Sequence, residues 1–235
     1  MASNNFCILR FQKIKSAIAV RRALKHNSRI NQPENANPEK SDLNQYFNSY
    51  DEALEIYKKQ LPEKVRKNAV HAVEILITAS PEILQKMTFQ EQKNYFNQSL
   101  AWAEKQLGGR ENLLSACIHR DEATPHLHMI FMPLKEKKLN ANYYIGGSKH
   151  KMIELQDDFY KNVGQKFKMG RGRPAAITKA KHLNSRDYLA QKGQELADKE
   201  KQLNAKQEAL LKYSNALSKV QKKELKKALD KEFER

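Results

Sequence analysis

One segment, residues 119–128, constrains the fold of this 235-residue chain more than any other. Its sequence is His-Arg-Asp-Glu-Ala-Thr-Pro-His-Leu-His, and it holds three of the seven histidines of the chain. Apolar runs over residues 113–118 and 129–134 flank it, which predicts two strands joined by a short turn centred on Pro125. Because only antiparallel neighbours can be joined by so short a turn, the segment predicts a β-hairpin.

The three histidines of this hairpin are typical of a metal site. Side chains alternate along a strand, so His126 and His128 project to the same side, and His119 on the antiparallel partner can lie beside them. Three nitrogens then converge on one ion and leave other coordination positions open for water or substrate. Imidazole accepts zinc, manganese, iron, nickel or copper, so the spacing leaves the metal undecided. The alternative is three half-buried strand histidines satisfied by ordinary hydrogen bonds.

The charge of the chain indicates an anionic partner. With 43 Lys and Arg against 27 Asp and Glu, the formal net charge is +16, which favours nucleic acid first and an anionic membrane surface second. No apolar run approaches the roughly 20 residues needed to span a bilayer, and no signal peptide is recognisable, so we expect a cytosolic protein. Cys7 and Cys117 lie in apolar runs and are expected to be reduced and buried.

The rest of the chain predicts mixed α and β structure. Strands are expected over residues 6–11 and 69–79, and helices over 51–67, 89–107 and 149–168. A basic stretch, residues 13–29, is expected to meet phosphate, and the Asn- and Pro-rich residues 31–49 are expected to form a long loop. His71 is most simply a core or edge residue of its strand.

The C-terminal tail differs in kind from the rest of the chain. From about residue 183, leucines recur every seven residues in a Lys-, Glu- and Gln-rich sequence: Leu189, Leu196, Leu203, Leu210 and Leu217. This pattern predicts one long helix. Lysines occupy much of the second seam of the heptad, which leaves open whether the helix pairs in a homodimer or stays single. We therefore predict two domains, residues 1–186 and a helical extension over 187–235.

Three motifs, taken in order, resemble one known family. His26-Asn-Ser-Arg29 resembles an HNxR motif, residues 37–44 resemble a second motif around a Leu-Asn pair, and residues 119–128 resemble the metal motif. Together they resemble the Mob/Pre plasmid mobilisation relaxases, the MobV group of the HUH endonucleases. The likeness covers residues 6–186. It implies an α+β fold in which about five antiparallel strands carry helices mainly on one face and the metal on the other.

The resemblance also implies an activity. Such enzymes nick one strand of plasmid DNA at an origin of transfer, stay attached to the 5′ phosphate and later rejoin the ends. In MobV relaxases the histidine of the HNxR motif serves as the nucleophile. The resemblance therefore implies that His26 is the nucleophile here, with Tyr46 and Tyr50 as the alternative nucleophiles. His119, His126 and His128 would hold a divalent metal, Mn²⁺ or Mg²⁺. The substrate would be single-stranded origin DNA beside a duplex or hairpin in the bacterial cytoplasm.

Further residues receive roles on the same basis. Glu122 either orients His26 or is a fourth metal ligand, with Asp121 as the alternative carboxylate, and Arg29 is expected to clamp a phosphate. The candidates for DNA binding are Arg10, Lys13, Asn27 and Asn44. Two other functions stay open: an HUH replication initiator or transposase with a tyrosine nucleophile such as Tyr160, and a non-catalytic DNA-binding regulator with a structural metal.

Overall fold

The computed structural model describes residues 5–146, 149–172 and 185–216, with 221, 223, 224, 226 and 227. The chain divides into two compact units, Met1–Arg173 and Pro174–Arg235. The functional boundary expected after residue 186 stays a prediction. The sequence run from 173 to 184, with its basic residues, lies outside the described residues.

A six-stranded sheet forms the centre of the first unit. Its spatial order is β2-β4-β5-β3-β1-β8, and every neighbouring pair is antiparallel except β1 with β8. The strands are β1 Phe6–Ile14, β2 Gln45–Tyr46, β3 Ala72–Ala79, β4 Leu113–His119, β5 His126–Phe131 and β8 Gly170–Arg171, with β6 Leu134–Lys135 and β7 Lys138–Leu139 in a separate hairpin. The predicted antiparallel sheet is confirmed, with two-residue strands at both edges.

Seven α-helices surround or follow the sheet in the described residues. They are α1 Ala17–Asn27, α2 Tyr50–Gln60, α3 Pro81–Lys86, α4 Phe89–Gln106, α5 Ala141–Ile145, α6 Lys149–Asn162 and α7 Ser185–Ala216. Short 3₁₀ turns cover Pro38–Leu43, Arg110–Asn112 and Gly164–Phe167. The predicted loop over 31–49 therefore contains one such turn and strand β2. Helix α2 ends two residues before Pro62, which cannot continue a helix.

The sequence did not predict α1, because its charges obscure a narrow apolar stripe. Val20 and Leu24 are fully buried while Arg21 and Arg22 between them are exposed. Ser16 caps the helix, since its hydroxyl accepts a hydrogen bond from the Ala19 amide at 3.2 Å. The basic stretch is thus mostly helix, and Lys13, Lys15, Arg21 and Arg22 are exposed.

Two apolar clusters cover the two faces of the sheet. On one face, α4 and α6 pack on side chains such as Leu9, Ile75 and Met129. On the other, α1 and α2 pack on residues that include Leu114 and Ile130. The second cluster covers only part of its face, and the strand ends beside it carry the histidines. Both cysteines are buried and free, as expected.

Helix α7 carries its leucines on an exposed stripe. Leu196, Leu203 and Leu210 are 66%, 57% and 67% exposed. The predicted long helix is confirmed.

Among the described helices, none combines the length and apolar character that crossing a bilayer requires.

Candidate metal centre

The β4–β5 pairing brings the three motif histidines together. His119 pairs with His126, and Cys117 pairs with His128, so all three imidazoles share one face of the sheet. Their ring centroids are 5.4 Å (His119–His126), 5.2 Å (His119–His128) and 4.8 Å (His126–His128) apart. All three side chains are buried. We call these three residues the histidine cluster.

One nitrogen of each ring in the histidine cluster contacts an oxygen. The pairs are His119 Nε2 with the Asn27 carbonyl at 2.9 Å, His126 Nδ1 with the Thr124 carbonyl at 2.9 Å, and His128 Nδ1 with the Glu74 carboxylate at 3.1 Å. Because these oxygens only accept, each contacted nitrogen carries the proton and the other nitrogen presents a lone pair. The free nitrogen of His119, Nδ1, is buried and has no hydrogen-bond partner.

The cluster fits a divalent cation. Burial lowers the pKa of His119 to about 3 and that of His128 well below its ordinary value, so both rings are neutral at pH 7. Neutral imidazoles are ligands that transition metals prefer. An orphaned buried nitrogen is otherwise costly, which a bound cation would relieve.

His26 lies beside the histidine cluster, in the last turn of α1. Its ring centroid is 5.8 Å from that of His119 and 5.5 Å from that of His128. Burial lowers the pKa of His26, and the positive charge of Arg29 lowers it further. A neutral imidazole therefore stands next to the metal pocket, and the first and third motifs meet as predicted.

Arg29 does not face open solvent as a phosphate clamp would. Its guanidinium donates to Asp121 through Nε at 2.8 Å and Nη2 at 2.5 Å, and Nη2 also donates to Glu122 at 2.7 Å. Its side chain is only 7% exposed, and its backbone adopts a left-handed φ of 56°. Its remaining nitrogen, Nη1, is buried and has no hydrogen-bond partner among the described residues. The ion pairs join Arg29 to the turn of the metal motif, and its expected role as a phosphate clamp stays a prediction.

The second motif is attached to the same turn. Asn44 donates from Nδ2 to Asp121 at 2.8 Å and accepts from the Arg120 amide at 2.7 Å, while the Asn37 amide donates to the Asp121 carbonyl at 2.7 Å. Burial tends to raise the pKa of Asp121, but hydrogen bonds from Arg29 and Asn44 outweigh it and lower that pKa. All three motifs therefore meet at Asp121.

Glu122 lies at the edge of the metal pocket. Its Oε1 is 3.8 Å from His126 Nε2, and its Oε2 accepts from Asn35 Nδ2 at 2.8 Å. Ligand atoms of His119, Glu122 and His126 all lie within 4.8 Å of one another, as do those of His26, His119 and His128. Glu122 thus belongs to one candidate ligand group with His119 and His126, and its role as a metal ligand or as the partner of His26 stays a prediction.

The predicted DNA-binding residues are only partly brought together. Arg10 is exposed and shares the histidine face, because it pairs with Leu76, which pairs with His128. Lys13 pairs with Val73, whose side chain belongs to the opposite core, so Lys13 points away from the histidine face. Arg10 and Lys13 therefore lie on opposite faces of the sheet, and the expected contact of Lys13 with DNA stays a prediction.

The side chains of Asn27 and Asn44 differ in their contacts. The Asn27 side chain is fully buried, and neither end of its amide has a hydrogen-bond partner among the described residues, while its backbone carbonyl contacts His119. Both ends of the Asn44 amide are used inside the motif. The expected DNA contacts of both residues stay predictions.

The rival tyrosines differ in position. Tyr46 is 45% exposed, and its ring centroid is 6.5 Å from that of His119. Tyr50 begins α2. Tyr160 packs against the core on the other face of the sheet, away from the histidines.

Sequence reasoning missed Glu74 as part of the site. Its carboxylate is the partner of His128 Nδ1, and burial raises its pKa. The available signal was a lone carboxylate inside the apolar run of β3. His71, expected at the core or edge of its strand, contacts the Tyr57 hydroxyl at 2.7 Å.

Comparisons with known proteins agree with this geometry. The family model described as plasmid recombination enzyme matches residues 3–190. A plasmid recombination enzyme of Bacillus thuringiensis is 32% identical over 79% of this chain and 42% of its own length. A plasmid recombination enzyme type 1 of Staphylococcus aureus is 30% identical, over 77% of this chain and 48% of its own length. The chain thus spans less than half of these relatives.

Solved structures resemble the same part of the chain. A Mn-bound MobM relaxase domain in complex with plasmid pMV158 oriT DNA has a TM-score of 0.67 and 25% identity, covering 79% of this chain and 99% of the MobM chain. A second Mn-bound complex of this domain, with DNA that carries a 3′ thiophosphate, has a TM-score of 0.67 and 23% identity.

Proposed function

This chain belongs to the plasmid recombination enzyme family, and we propose from that premise that it nicks and rejoins one strand of plasmid DNA at an origin of transfer. The observation that carries this proposal is the position of His26, an imidazole of lowered pKa whose ring centroid is 5.8 Å from that of His119 and 5.5 Å from that of His128. The related MobM domain binds origin DNA. Residues 1–186 would form the cleaving domain, acting on plasmid DNA in the bacterial cytoplasm.

His26 is the proposed nucleophile. A ring nitrogen attacks the scissile phosphorus, the bond to the 3′ oxygen breaks, and a phosphoramidate to the 5′ phosphate forms. The leaving 3′ oxygen takes up a proton, and the imidazole loses its own. The reverse reaction rejoins the strand. Neutral imidazole needs no strong base for this attack, whereas a tyrosine hydroxyl with a pKa of about 10 does.

The histidine cluster would hold a divalent ion, Mn²⁺ or Mg²⁺, and manganese is present in the MobM structures. When bound, such an ion neutralises the non-bridging oxygens of the phosphate and orients it. Glu122 is the proposed fourth ligand. Glu74 would hold His128 in the ligating orientation, and Arg29 would keep the turn with Asp121 and Glu122 in place.

A covalent-capture experiment tests this function. Protein is incubated with Mn²⁺ and a randomised single-stranded DNA library labelled at the 3′ end, and adducts are separated under denaturing conditions. We expect an acid-labile, base-stable adduct from the wild type and from Tyr46→Phe, and none from His26→Ala. Tyr46→Phe is the matched control, because it removes the nearest rival hydroxyl and keeps the ring.

Two outcomes would contradict the proposal. An acid-stable adduct that persists in His26→Ala would assign the chemistry to a tyrosine. DNA binding without any adduct, with chelation lowering only the melting temperature, would indicate a regulator with a structural metal.

A further inference from the structure

A second cavity opens beside the metal centre. It has a volume of about 550 Å³ and lies between the end of α1, strand β2 and the start of α2. We call it the aromatic pocket, and its walls include Ser28, Ile30, Tyr46, Phe47, Asn48 and Tyr50. Ser28 follows His26 by two residues, and the Tyr46 ring is 6.5 Å from His119. The pocket and the metal centre therefore share a wall.

The aromatic pocket exposes large apolar side chains. Ile30, Tyr46 and Phe47 are 54%, 45% and 37% exposed. Three such side chains around one concavity, in a chain with 30% charged residues, indicate a ligand that offers a flat apolar surface. An unpaired nucleobase has such a surface and stacks on aromatic rings.

Asn48, a residue of the pocket wall, has a polar atom without a hydrogen-bond partner. Asn48 Oδ1 is buried and accepts no hydrogen bond from the part of the chain that the structure describes. A buried carbonyl oxygen without a donor is unfavourable, so a ligand with an amino group would be stabilised here. Adenine, cytosine and guanine carry an exocyclic amino group, and thymine does not.

The charges around the pocket favour a base inside it and a phosphate outside it. Asp51 and Glu52 lie at its rim, which disfavours a phosphate inside. Tyr50 also lines a neighbouring cavity of about 460 Å³, whose walls carry Arg21, Arg22, Lys25 and Lys58. A strand can therefore insert a base into the aromatic pocket while its adjoining phosphate meets these cations.

We propose that the aromatic pocket binds one unpaired base of the DNA strand next to the cleavage site and that Asn48 selects a base with an amino group. This inference rests on the proposed function for its choice of ligand. It gives Phe47 and Tyr46 a stacking role and Asn48 a role in specificity.

Equilibrium binding in EDTA tests the pocket without any cleavage. The probes are single strands of about ten nucleotides: oligo-dC, oligo-dT and an abasic strand of equal charge. For the wild type we expect oligo-dC to bind several-fold more tightly than oligo-dT, and both about tenfold more tightly than the abasic strand. Phe47→Ala should bring both strands close to the abasic affinity, and Asn48→Ala should remove the preference for oligo-dC.

The matched control is Tyr143→Ala, which removes an exposed aromatic ring outside the pocket, on α5, where Tyr143 is 55% exposed against 37% for Phe47. It should leave all three affinities unchanged. Phe47→Leu keeps the apolar volume without the ring and should still lose the preference for strands with bases. An unchanged Mn²⁺ affinity in each variant shows that the site remains folded.

Equal affinity for the abasic strand and oligo-dC, or no effect of Phe47→Ala, would overturn base binding. A preference for oligo-dT would overturn the role of Asn48. These outcomes are independent of the covalent-capture experiment. A wild type that discriminates between bases but forms no adduct would contradict the proposed cleavage and still support base binding in the aromatic pocket.

Discussion

A single carboxylate, Glu74, determines which nitrogen of His128 faces the metal pocket. It contacts Nδ1 at 3.1 Å, and its own side chain is only 16% exposed. Carbonyl oxygens of Asn27 and Thr124 do the same for the other two rings. Outer partners of this kind fix the orientation of metal ligands and increase their basicity. The chemistry of the site therefore depends on residues that never contact the ion.

Replacing Glu74 by Gln tests this dependence. The amide keeps the size of the side chain but loses its negative charge, so we expect the affinity for Mn²⁺ to fall about 10- to 100-fold. Isothermal titration calorimetry measures it.

Glu55→Gln is the matched control, because it makes the same change at an exposed position of α2. It should leave the affinity for Mn²⁺ unchanged. An equal affinity in Glu74→Gln and the wild type would show that the buried carboxylate does not support the ligand.

At the scale of elements, α1 delivers His26 to the metal centre. Val20 and Leu24 hold the helix against the sheet, and His26 lies two residues beyond Leu24. The chain then turns at Arg29, whose ion pairs join it to the metal motif. The position of His26, the proposed nucleophile, is thus set by apolar packing on one side and ion pairing on the other.

Leu24→Ala should lower the free energy of unfolding by about 2–5 kcal/mol, because it leaves a cavity under the helix. Denaturant unfolding followed by circular dichroism measures the change. Ile18→Ala on the same helix is the control, since Ile18 is 64% exposed, and it should change stability by less than about 0.5 kcal/mol. Similar losses in the two variants would contradict the packing of α1.

At the scale of the whole molecule, the two units use apolar residues differently. The first unit buries them in two cores around the sheet. Helix α7 instead leaves Leu196, Leu203 and Leu210 exposed at a spacing of seven residues. A seam of this spacing is typical of a coiled coil, and we propose a homodimer through α7.

Leu203→Glu should shift the protein from dimer to monomer in sedimentation analysis, because it places a charge in the seam. The neighbouring substitution Asn204→Glu adds the same charge at an exposed position outside the leucine seam and should leave the dimer intact. A wild type that sediments as a monomer throughout the micromolar range would contradict pairing through α7.

The sequence by itself determined the features that repeat over short distances. Alternation along β4 and β5 put three histidines on one face, and the leucine spacing determined a long helix. Both follow from local backbone geometry, which needs no distant contact. The order of the three motifs also determined the family. The cations of α1 concealed its two buried residues, so the helix that carries His26 was missed.

Only the tertiary structure decided which residues of the site meet. Arg29 meets Asp121 across 92 positions of the chain, and Glu74 meets His128 across 54. Such pairings arise from how the sheet and α1 pack together, and no local pattern encodes them. They join Arg29 to the carboxylates of the metal motif, place Lys13 on the other face of the sheet and bury Asn27. Burial of a charge or an amide is a property of the assembled core, which is why these roles needed the fold.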